Sequence, residues 1–317
     1  MDNVGDNGGD NGGTERAALY EDAMDADLPE HDAPDVTVVV PHYNDYARLD
    51  RCLTALAAQD FGGTREIIVA DNDSPGGPAR IAATVAGRAR IVVATAKGAG
   101  PARNAGVAAA RGRILAFTDA DCLPEAGWLA AGIAALSAPD TVVGGCMTVL
   151  SGMPRSGAEA FETVFAFDNA AYVRAKGFTV TANLFVARGL FDRVGPFRTG
   201  LSEDVEWCWR ARAAGARLVY APGAVVGHPA RRDWRELAAK WERLTHETYL
   251  LDRERGKSPG WVIARAWAML LETPRALVRV LRSPVLAPGE RRAAAAVLIR
   301  LRLFRFALGH RLALRGG

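Results

Sequence analysis

Cysteine and histidine are scarce in this chain of 317 residues, which contains four of the first and five of the second. The cysteines form no CxxC pair, no histidine cluster accompanies them, and they lie far apart: Cys52, Cys122, Cys146 and Cys208. This spacing disfavours a zinc ribbon and a disulfide framework. We therefore expect the chain to work in a reducing compartment.

Long hydrophobic runs are also missing from the sequence. No uncharged apolar segment reaches the roughly 18 residues that a membrane-spanning helix requires. The opening MDNVGDNGGDNGG has neither the basic nor the apolar region of a secretory signal. We expect a cytoplasmic protein, with peripheral attachment to the inner face of the cytoplasmic membrane as an alternative.

The net charge of +3 conceals an uneven distribution of charge along the chain. Residues 1–35 carry eleven acidic residues and one basic residue, whereas residues 257–317 carry twelve basic and two acidic ones. Residues 1–34, rich in glycine, asparagine and aspartate, are expected to form a disordered acidic tail because they offer little apolar area to bury. A basic helical extension is expected over residues 231–317.

Short apolar runs alternate with helical patterns between these ends, over residues 35–230. The runs are rich in β-branched residues and leucine, which is typical of parallel strands covered on both faces. Their order predicts an α/β fold with a Rossmann-like mixed, mainly parallel sheet flanked by helices. The predicted strands span residues 36–41, 65–71, 89–94 and 113–121, and the predicted helices span residues 46–58, 78–86 and 101–111.

The stretch ILAFTDADC places two carboxylates, Asp119 and Asp121, where the fourth predicted strand ends. Ligands gather at the carboxyl ends of the strands in sheets of this kind. Like charges this close repel each other, so a positive partner is expected. Mg²⁺ or Mn²⁺ bound to a diphosphate would supply it. The alternative is a turn in which aspartate caps backbone amides.

Charged residues also follow other predicted strands. Asp71 and Asp73, after the second strand, could accept hydrogen bonds from a base or a ribose, or could form an Asx-rich turn. Arg103 stands in KGAGPARNAG where a dinucleotide fingerprint requires its third glycine, which disfavours an NAD-type oxidoreductase. Its guanidinium could contact a phosphate or a base, or could remain solvated.

Two further motifs lie later in the chain. SEDVEW has the form of a helix start with Ser202 as N-cap and with acids that favour the helix dipole. Asp204 in this motif is alternatively a general base. His228, in AVVGHP, is either a structural histidine or a ligand for a divalent metal.

The order of these motifs resembles that of family 2 glycosyltransferases of the GT-A fold, and the resemblance covers residues 36–230. The motifs are VVVPHYND, IIVADNDS, GPARNAG, AFTDAD, TANLFVARGLFDRVGPF, SEDVEW and GHP. The resemblance implies inverting transfer from a nucleotide-diphosphate sugar, with a UDP-sugar favoured and with Mn²⁺ or Mg²⁺ as cofactor. The implied acceptor is a hydroxyl of a cell-surface glycan or lipid-linked saccharide. A catalytically silent protein that binds nucleotide sugars or acts as a scaffold is the alternative.

The resemblance also implies roles for individual residues. On the donor side it puts Pro41, Tyr43 and Asn44 in the first nucleotide loop, Asp71 at the base with Asp73 beside it, Arg103 and Asn104 near base and diphosphate, and Asp119 near ribose or sugar hydroxyls. It implies that Asp121 and His228 bind the metal. On the acceptor side it implies a strand over Thr181 to Leu184 and the role of catalytic base for Asp204.

Two features depart from the family pattern. The second motif reads DND where DDG or DNG is common, so Asp73 replaces a frequent glycine. The QxxRW signature of processive synthases is missing after Asp204, which indicates a non-processive enzyme. The composition, rich in alanine, arginine and glycine, suggests a bacterial source with a GC-rich genome.

The basic extension interleaves arginines with the aromatic residues Trp261, Trp267, Phe304 and Phe306. Helices of this kind can lie in a membrane interface, where anionic lipids attract them. Alternatively, they pack on the catalytic domain while their arginines reach water. No nucleic acid partner is expected, because no recognised binding module accompanies the charge.

Overall fold

The structure is a computed structural model that describes residues 33–315. The predicted acidic tail therefore lies outside the described residues, apart from Ala33 and Pro34. The strands are β1 (Val36–His42), β2 (Arg65–Asp71), β3 (Arg90–Val93), β4 (Ile114–Phe117), β5 (Leu123–Pro124), β6 (Thr141–Leu150), β7 (Leu184–Ala187) and β8 (Arg217–Pro229).

The helices alternate with the strands up to β8 and then continue alone. They are α1 (Tyr46–Ala57), α2 (Gly77–Val85), α3 (Ala99–Ala109), α4 (Trp128–Ala134), α5 (Gly157–Phe165), α6 (Asn169–Ala171), α7 (Arg188–Val194), α8 (Glu203–Ala213), α9 (Trp234–Glu254), α10 (Pro259–Leu271), α11 (Thr273–Leu281) and α12 (Pro288–Arg315). A π-helical turn, Tyr172–Lys176, follows α6, and a 3₁₀ turn, Thr181–Asn183, precedes β7.

The strands form one sheet in the order β3-β2-β1-β4-β7-β6-β8-β5. The first four strands in this order run parallel, and β6 pairs in parallel with β8. The remaining pairs, β4 with β7, β7 with β6 and β8 with β5, are antiparallel. The predicted mixed, mainly parallel α/β sheet is therefore confirmed.

The apolar run of β1 explains why this strand lies at the centre of the parallel half. Successive side chains of a strand point to opposite faces of the sheet. Val38 and Val39 are both fully buried, and they belong to different hydrophobic clusters, one on each face. A continuous apolar strand thus requires helices on both faces, and these helices hold the carboxyl edge in place.

Two predicted strands are wrong in their extent. The fourth strand was expected to run through Asp121 but ends at Phe117, because the chain turns where the Cys122 amide donates to the Asp119 carbonyl at 3.0 Å. The acceptor-side strand expected over Thr181 to Leu184 begins only at Leu184, after the 3₁₀ turn. Polar side chains at both places favour turns over strands.

The C-terminal helices α9 to α12 form the predicted helical extension and pack on the rest of the chain. Phe161 and Val164 of α5 share a hydrophobic cluster with Leu237 of α9 and Leu298 and Leu301 of α12. The structure thus shows this extension packed on the remainder of the protein, and its attachment to a membrane surface stays a prediction. Within residues 33–315, no helix has the length and apolar character needed to cross a membrane.

Candidate active site

The carboxyl ends of β1 and β2 bring His42 and Asp71 together. Asp71 is almost fully buried, and its Oδ1 lies 2.8 Å from His42 Nδ1 and accepts from Ser74 Oγ at 2.6 Å. Its Oδ2 accepts from the Ser74 amide at 3.0 Å. Burial raises the pKa of Asp71, but the hydrogen bonds from His42 and Ser74 outweigh it and hold the pKa below its usual range. The carboxylate is therefore charged and fixed in orientation.

The first loop after β1 lies against the loop after β2. The Asn44 amide donates to Ser74 Oγ at 2.9 Å, and Asn44 takes a positive φ of 51°. Tyr43 is 57% exposed, with Lys97 Nζ at 5.4 Å from its ring centroid. Pro41, partly buried, is the residue before His42 in β1. The exposed aromatic ring beside a cation offers a surface on which a nucleobase can stack.

Lys97 joins this loop to the predicted base-recognising segment. Its Nζ donates to the carbonyl oxygens of Asn72 and Asp73 at 2.9 and 3.2 Å, and it lies 3.4 Å from Asp73 Oδ2. The Asp73 side chain is half exposed, so it points to solvent beside the buried Asp71. His42, Ser74 and Lys97 were missed by the sequence reasoning, although His42 lies within the quoted motif VVVPHYND.

Arg103 is the positive partner of Asp119. The guanidinium is buried, its Nη2 donates to Asp119 Oδ1 at 2.5 Å, and its Nη1 donates to Glu203 Oε1. Burial lowers the pKa of Arg103, but the charges of Asp119 and Glu203 outweigh it and raise the pKa above its usual range. The metal-bound diphosphate expected as the partner of this pair of aspartates is thus not needed to neutralise Asp119.

Two glycines of α3 bring Arg103 into this position. A Cβ on Gly106 would collide with Val39 Cγ1, so α3 packs closely on β1 only because residue 106 lacks a side chain. A Cβ on Gly100 would likewise collide with Glu203 Oε2. The same helix therefore approaches both the sheet and the first turn of α8, which explains how one arginine reaches two acids.

Asp121 lies apart from Arg103 and close to His228. Asp121 Oδ2 is 3.7 Å from His228 Nε2, and ligand atoms of Asp121, Cys122 and His228 all lie within 4.8 Å of one another. His228 Nδ1 lies 2.8 Å from the Pro229 carbonyl, to which it donates, so Nε2 keeps its lone pair toward Asp121. Burial lowers the pKa of His228, which favours the neutral, metal-binding imidazole.

The chemistry of this group fits a divalent cation such as Mn²⁺. One carboxylate and one imidazole nitrogen form the mixed oxygen and nitrogen set that this ion accepts. Burial raises the pKa of the Cys122 thiol, so its sulfur is a weak third ligand. Cys122 was not identified from the sequence, because a lone cysteine beside an aspartate carries no distinctive spacing.

A cavity of about 270 Å³ opens beside Asp121. Three arginines, Arg48, Arg51 and Arg232, line it together with Glu159. The positive lining suits an anionic ligand, and it adjoins the carboxylate that faces His228. None of these three arginines was singled out from the sequence, because each comes from a surface stretch without a motif.

Asp204 lies in the first turn of α8, which begins after the predicted N-cap Ser202. Asp204 Oδ1 accepts from the Val205 amide at 2.8 Å, and within residues 33–315 this carboxylate has no ion-pair partner. Burial raises the pKa of Asp204 to about 6, with further contributions from the charges of Glu203 and Glu247, while Val205 and Arg103 act in the opposite direction. A carboxylate with this pKa is suited to accept a proton near neutral pH.

Asn104 connects α3 to the loop before α8. Its Nδ2 donates to the Phe197 carbonyl at 2.8 Å, and its Oδ1 accepts from the Phe197 amide at 2.9 Å. The side-chain amide is thus engaged with backbone, and it fixes the loop that leads to Asp204. Asn183, in the 3₁₀ turn, is similarly engaged by Trp128 Nε1 and by the carbonyl oxygens of Cys146 and Ala224.

The mixed sheet flanked by helices has the architecture of the GT-A fold class. A family model described as glycosyl transferase family 2 matches residues 37–206, which is more than half of the chain. The chain therefore belongs to glycosyl transferase family 2.

Curated relatives and a solved structure agree with this assignment. Glycosyltransferase AglE of Haloferax volcanii is 32% identical over 231 residues, which cover 69% of this chain and 76% of AglE. Pre-mycofactocin glycosyltransferase of Mycobacterium tuberculosis is 31% identical over 219 residues, 63% of this chain and 44% of that relative. Mannosyltransferase PcManGT from Pyrobaculum calidifontis, solved with GDP-Man and Mn²⁺, has the same fold, with a TM-score of 0.56 and 21% identity over 95% of this chain and 93% of that one.

Proposed function

We propose that this glycosyltransferase moves a sugar from a nucleotide-diphosphate donor to an acceptor hydroxyl with inversion at the anomeric carbon. The observation that carries the proposal is the position of Asp204 in the first turn of α8, without an ion-pair partner in the described part of the chain. Burial raises the pKa of this carboxylate to about 6. A single displacement requires one base on the side opposite the leaving group. Glu203, its neighbour, is committed to Arg103 and is unsuited to that role.

The donor lies along the edge formed by β1, β2 and β4 in this proposal. The ring of Tyr43 stacks on the base, while Pro41 and Asn44 shape the loop that carries it. Asp71 and Asp73 serve the base and ribose, and Asp119, held by Arg103, accepts hydrogen bonds from sugar hydroxyls. Asn104 acts here as a positioning residue through Phe197, since its amide is already engaged. A UDP-sugar is the first expectation for the donor.

Asp121 and His228 would hold the divalent cation, Mn²⁺ or Mg²⁺, in this proposal. When bound, such a cation supplies positive charge to the departing diphosphate. Arg48, Arg51 and Arg232 in the neighbouring cavity add positive charge in the same region. Two groups of residues thus have different roles in this proposal. Asp121 and His228 would hold the cation at the leaving diphosphate, and Asp204 accepts the proton of the acceptor hydroxyl.

The acceptor in this proposal is a saccharide or a lipid-linked saccharide used for a cell-surface glycan. A lipid-linked acceptor would bring the protein to an anionic membrane surface, where the basic extension of residues 231–317 favours binding. This part of the proposal is independent of the donor chemistry. Lipid binding and donor turnover are therefore measured separately.

The donor assignment is tested with a panel of UDP-, GDP- and dTDP-sugars. Hydrolysis and binding of each are followed with Mn²⁺, with Mg²⁺ and with a chelator. We expect slow release of one nucleoside diphosphate that requires the metal. Binding of one donor without any release, even when candidate acceptors are supplied, would favour the silent binding protein, and no donor binding at all would contradict the proposal.

The metal assignment is tested with Asp121→Ala, which we expect to weaken Mn²⁺-dependent donor binding by about 10- to 100-fold, as loss of a ligand or of its support does. The matched control is Asp192→Ala, since Asp192 is an exposed aspartate of α7 paired with Arg188, outside the site. Calorimetric titration of the donor with and without Mn²⁺ gives the comparison. Unchanged metal-dependent binding in Asp121→Ala would remove Asp121 from the ligand set.

A further inference from the structure

A second cavity, of about 420 Å³, lies among the C-terminal helices. Residues of α9, α10 and α12 line it, together with Lys176 of the π-helical turn. Its lining includes four basic side chains against one acid, Glu272, and the four are Lys176, Arg265, Arg302 and Arg305. The cavity is therefore strongly positive and separate from the carboxyl edge of the sheet.

The arginines of this cavity differ in how well they are neutralised. Arg265 forms an ion pair with Asp252 at 2.7 Å. Arg302 Nη1 donates to the Met269 carbonyl at 3.1 Å, a neutral acceptor. Arg305 stacks on the Trp241 ring at 4.1 Å, and its buried Nε has no hydrogen-bond partner in the described part of the chain. Two of the three guanidinium groups thus form no ion pair with a carboxylate within residues 33–315, although the charge of Glu272 acts on Arg302 from a distance.

Burial acts on both of these side chains, and like charge acts on Arg305 as well. Arg302 and Arg305 are three residues apart on α12, so they lie on the same face of the helix. Burial lowers the pKa of Arg305 to about 10, and the charges of Arg302 and Arg265 contribute in the same direction. Burial also lowers the pKa of Arg302, while the charge of Glu272 acts in the opposite direction. Both side chains are only partly buried, but the Nε of Arg305 is buried without a partner in the described part of the chain. Leaving such a donor unpaired is costly, so an anion in this cavity would be bound favourably.

The chemistry of the lining favours a phosphate group as that anion. A guanidinium offers a planar fork of donors that matches phosphate oxygens, and its hydrogen bonds to a charged acceptor are stronger than neutral ones. The unpartnered Nε of Arg305 supplies one such donor. Arg302 and Lys176 supply further positive charge around the same space.

An exposed apolar face of α10 adjoins this cavity. Trp267 is 52% exposed and Leu271 is 78% exposed, although both are large apolar side chains. Ala268 links the two features, since it is exposed on this face and also lines the cavity. A small soluble anion would leave this apolar surface exposed to water, whereas the acyl chains of a lipid would bury it.

We propose that the cavity formed by α9, α10 and α12 binds the phosphate headgroup of a lipid through Arg302 and Arg305, with the apolar face of α10 against the lipid chains. This site is separate from the proposed donor site, because its lining contains none of Asp121, His228 and Asp204. The proposal rests on the membrane association proposed above and names its ligand, a lipid phosphate group. Its test uses binding alone, so its failure leaves the proposed transfer reaction untouched.

The experiment measures flotation of the full chain with phosphatidylcholine vesicles that contain a minor fraction of phosphatidic acid. The variant Arg302→Gln/Arg305→Gln is compared with Arg292→Gln/Arg311→Gln, which removes the same charge from two exposed arginines of α12 outside the cavity. We expect the cavity variant to bind about tenfold more weakly than the wild type and the control variant to bind nearly as well, since charge-assisted hydrogen bonds are lost only in the first.

Two further measurements keep the outcome clear. Nucleotide-sugar binding and circular dichroism show whether each variant is folded, and the single variant Arg302→Gln replaces the double variant if that one fails to fold. Inorganic phosphate is titrated in parallel. Equal loss of vesicle binding in both double variants would overturn the proposal, because the attraction would be unspecific. Binding of inorganic phosphate without vesicle flotation, or no binding of either probe, would overturn the lipid assignment as well.

Discussion

Two arginines, the buried Arg103 at the carboxyl edge of the sheet and the partly buried Arg305 among the C-terminal helices, have opposite surroundings. Arg103 meets two carboxylates, Asp119 and Glu203, which raise its pKa. Arg305 stacks on an aromatic ring, and burial, together with the charges of Arg302 and Arg265, lowers its pKa to about 10. The same side chain is thus neutralised by the protein in one region and left for a ligand in the other.

This difference indicates what each region does. At the carboxyl edge, Arg103 holds Asp119 and Glu203 in place and leaves Asp204 as the acid without a cation partner in the described part of the chain. In the C-terminal cavity neither Arg302 nor Arg305 forms an ion pair within residues 33–315, and Glu272 is the one acid of the lining, so positive charge is available to an outside anion. The proposed catalytic edge and the proposed lipid-binding cavity can therefore be distinguished by the partners of their arginines.

The largest effect on stability is expected for Arg103→Met. The substitution leaves Asp119 and Glu203 partly buried without their cation, and breaking such a pair costs about 3 kcal/mol. Urea denaturation of the variant and of the wild type measures the loss in the free energy of unfolding. The double variant Arg103→Met/Glu203→Gln should recover part of the loss, because it removes one of the two unpaired charges. A single variant as stable as the wild type would show that the pairing contributes nothing.

A smaller effect with a defined pH dependence is expected for Asp204→Asn. Burial raises the pKa of Asp204 to about 6, above its unfolded value of 3.8, so the native state holds the proton more tightly and the charged form destabilises it. The variant should therefore be more stable than the wild type at pH 8 by at most about 3 kcal/mol, the equivalent of this pKa shift, and by less to the extent that solvent reaches the partly buried side chain. This difference should shrink as the pH falls through 6 toward 4. Denaturation curves across this pH range check it, and a difference independent of pH would contradict the pKa.

The smallest effect on stability is expected for Arg305→Met. Because this partly buried guanidinium has no ion-pair partner among residues 33–315, its replacement by an apolar side chain should change the free energy of unfolding by about 1 kcal/mol or less, and can stabilise. Lost stacking on Trp241 limits any gain. Thermal and urea unfolding at pH 7 provide the measurement. A loss as large as that of Arg103→Met would erase the contrast between the two regions.

The strands and the acids at the carboxyl edge could be predicted because short, continuous stretches of the sequence determine them. Apolar runs such as residues 65–71 fix a buried strand without reference to the rest of the chain, and the structure ends β2 at the predicted residue. Asp71 and Asp119 follow such runs directly. The motif order then supplied the family, which the comparison with the family model confirmed.

The partners of these acids could not be predicted, because they come from distant parts of the chain. Glu203 is 100 residues from Arg103, and their contact depends on how closely α3 approaches α8 at Gly100. The C-terminal cavity could not be predicted for the same reason, since its lining combines Lys176 with residues of three helices that lie much later in the sequence. The roles of individual site residues and the domain boundaries at residues 34 and 230 remain predictions.

The most direct test of the account compares donor turnover in Asp204→Asn with that in Asp192→Asn, a matched change at an exposed aspartate of α7. Nucleotide-sugar binding is measured on the same samples. We predict that Asp204→Asn binds the donor as the wild type does but turns it over about 100- to 10,000-fold more slowly, as loss of a general base does, while Asp192→Asn stays fully active. Full turnover in Asp204→Asn would contradict the assignment of Asp204 as the catalytic base.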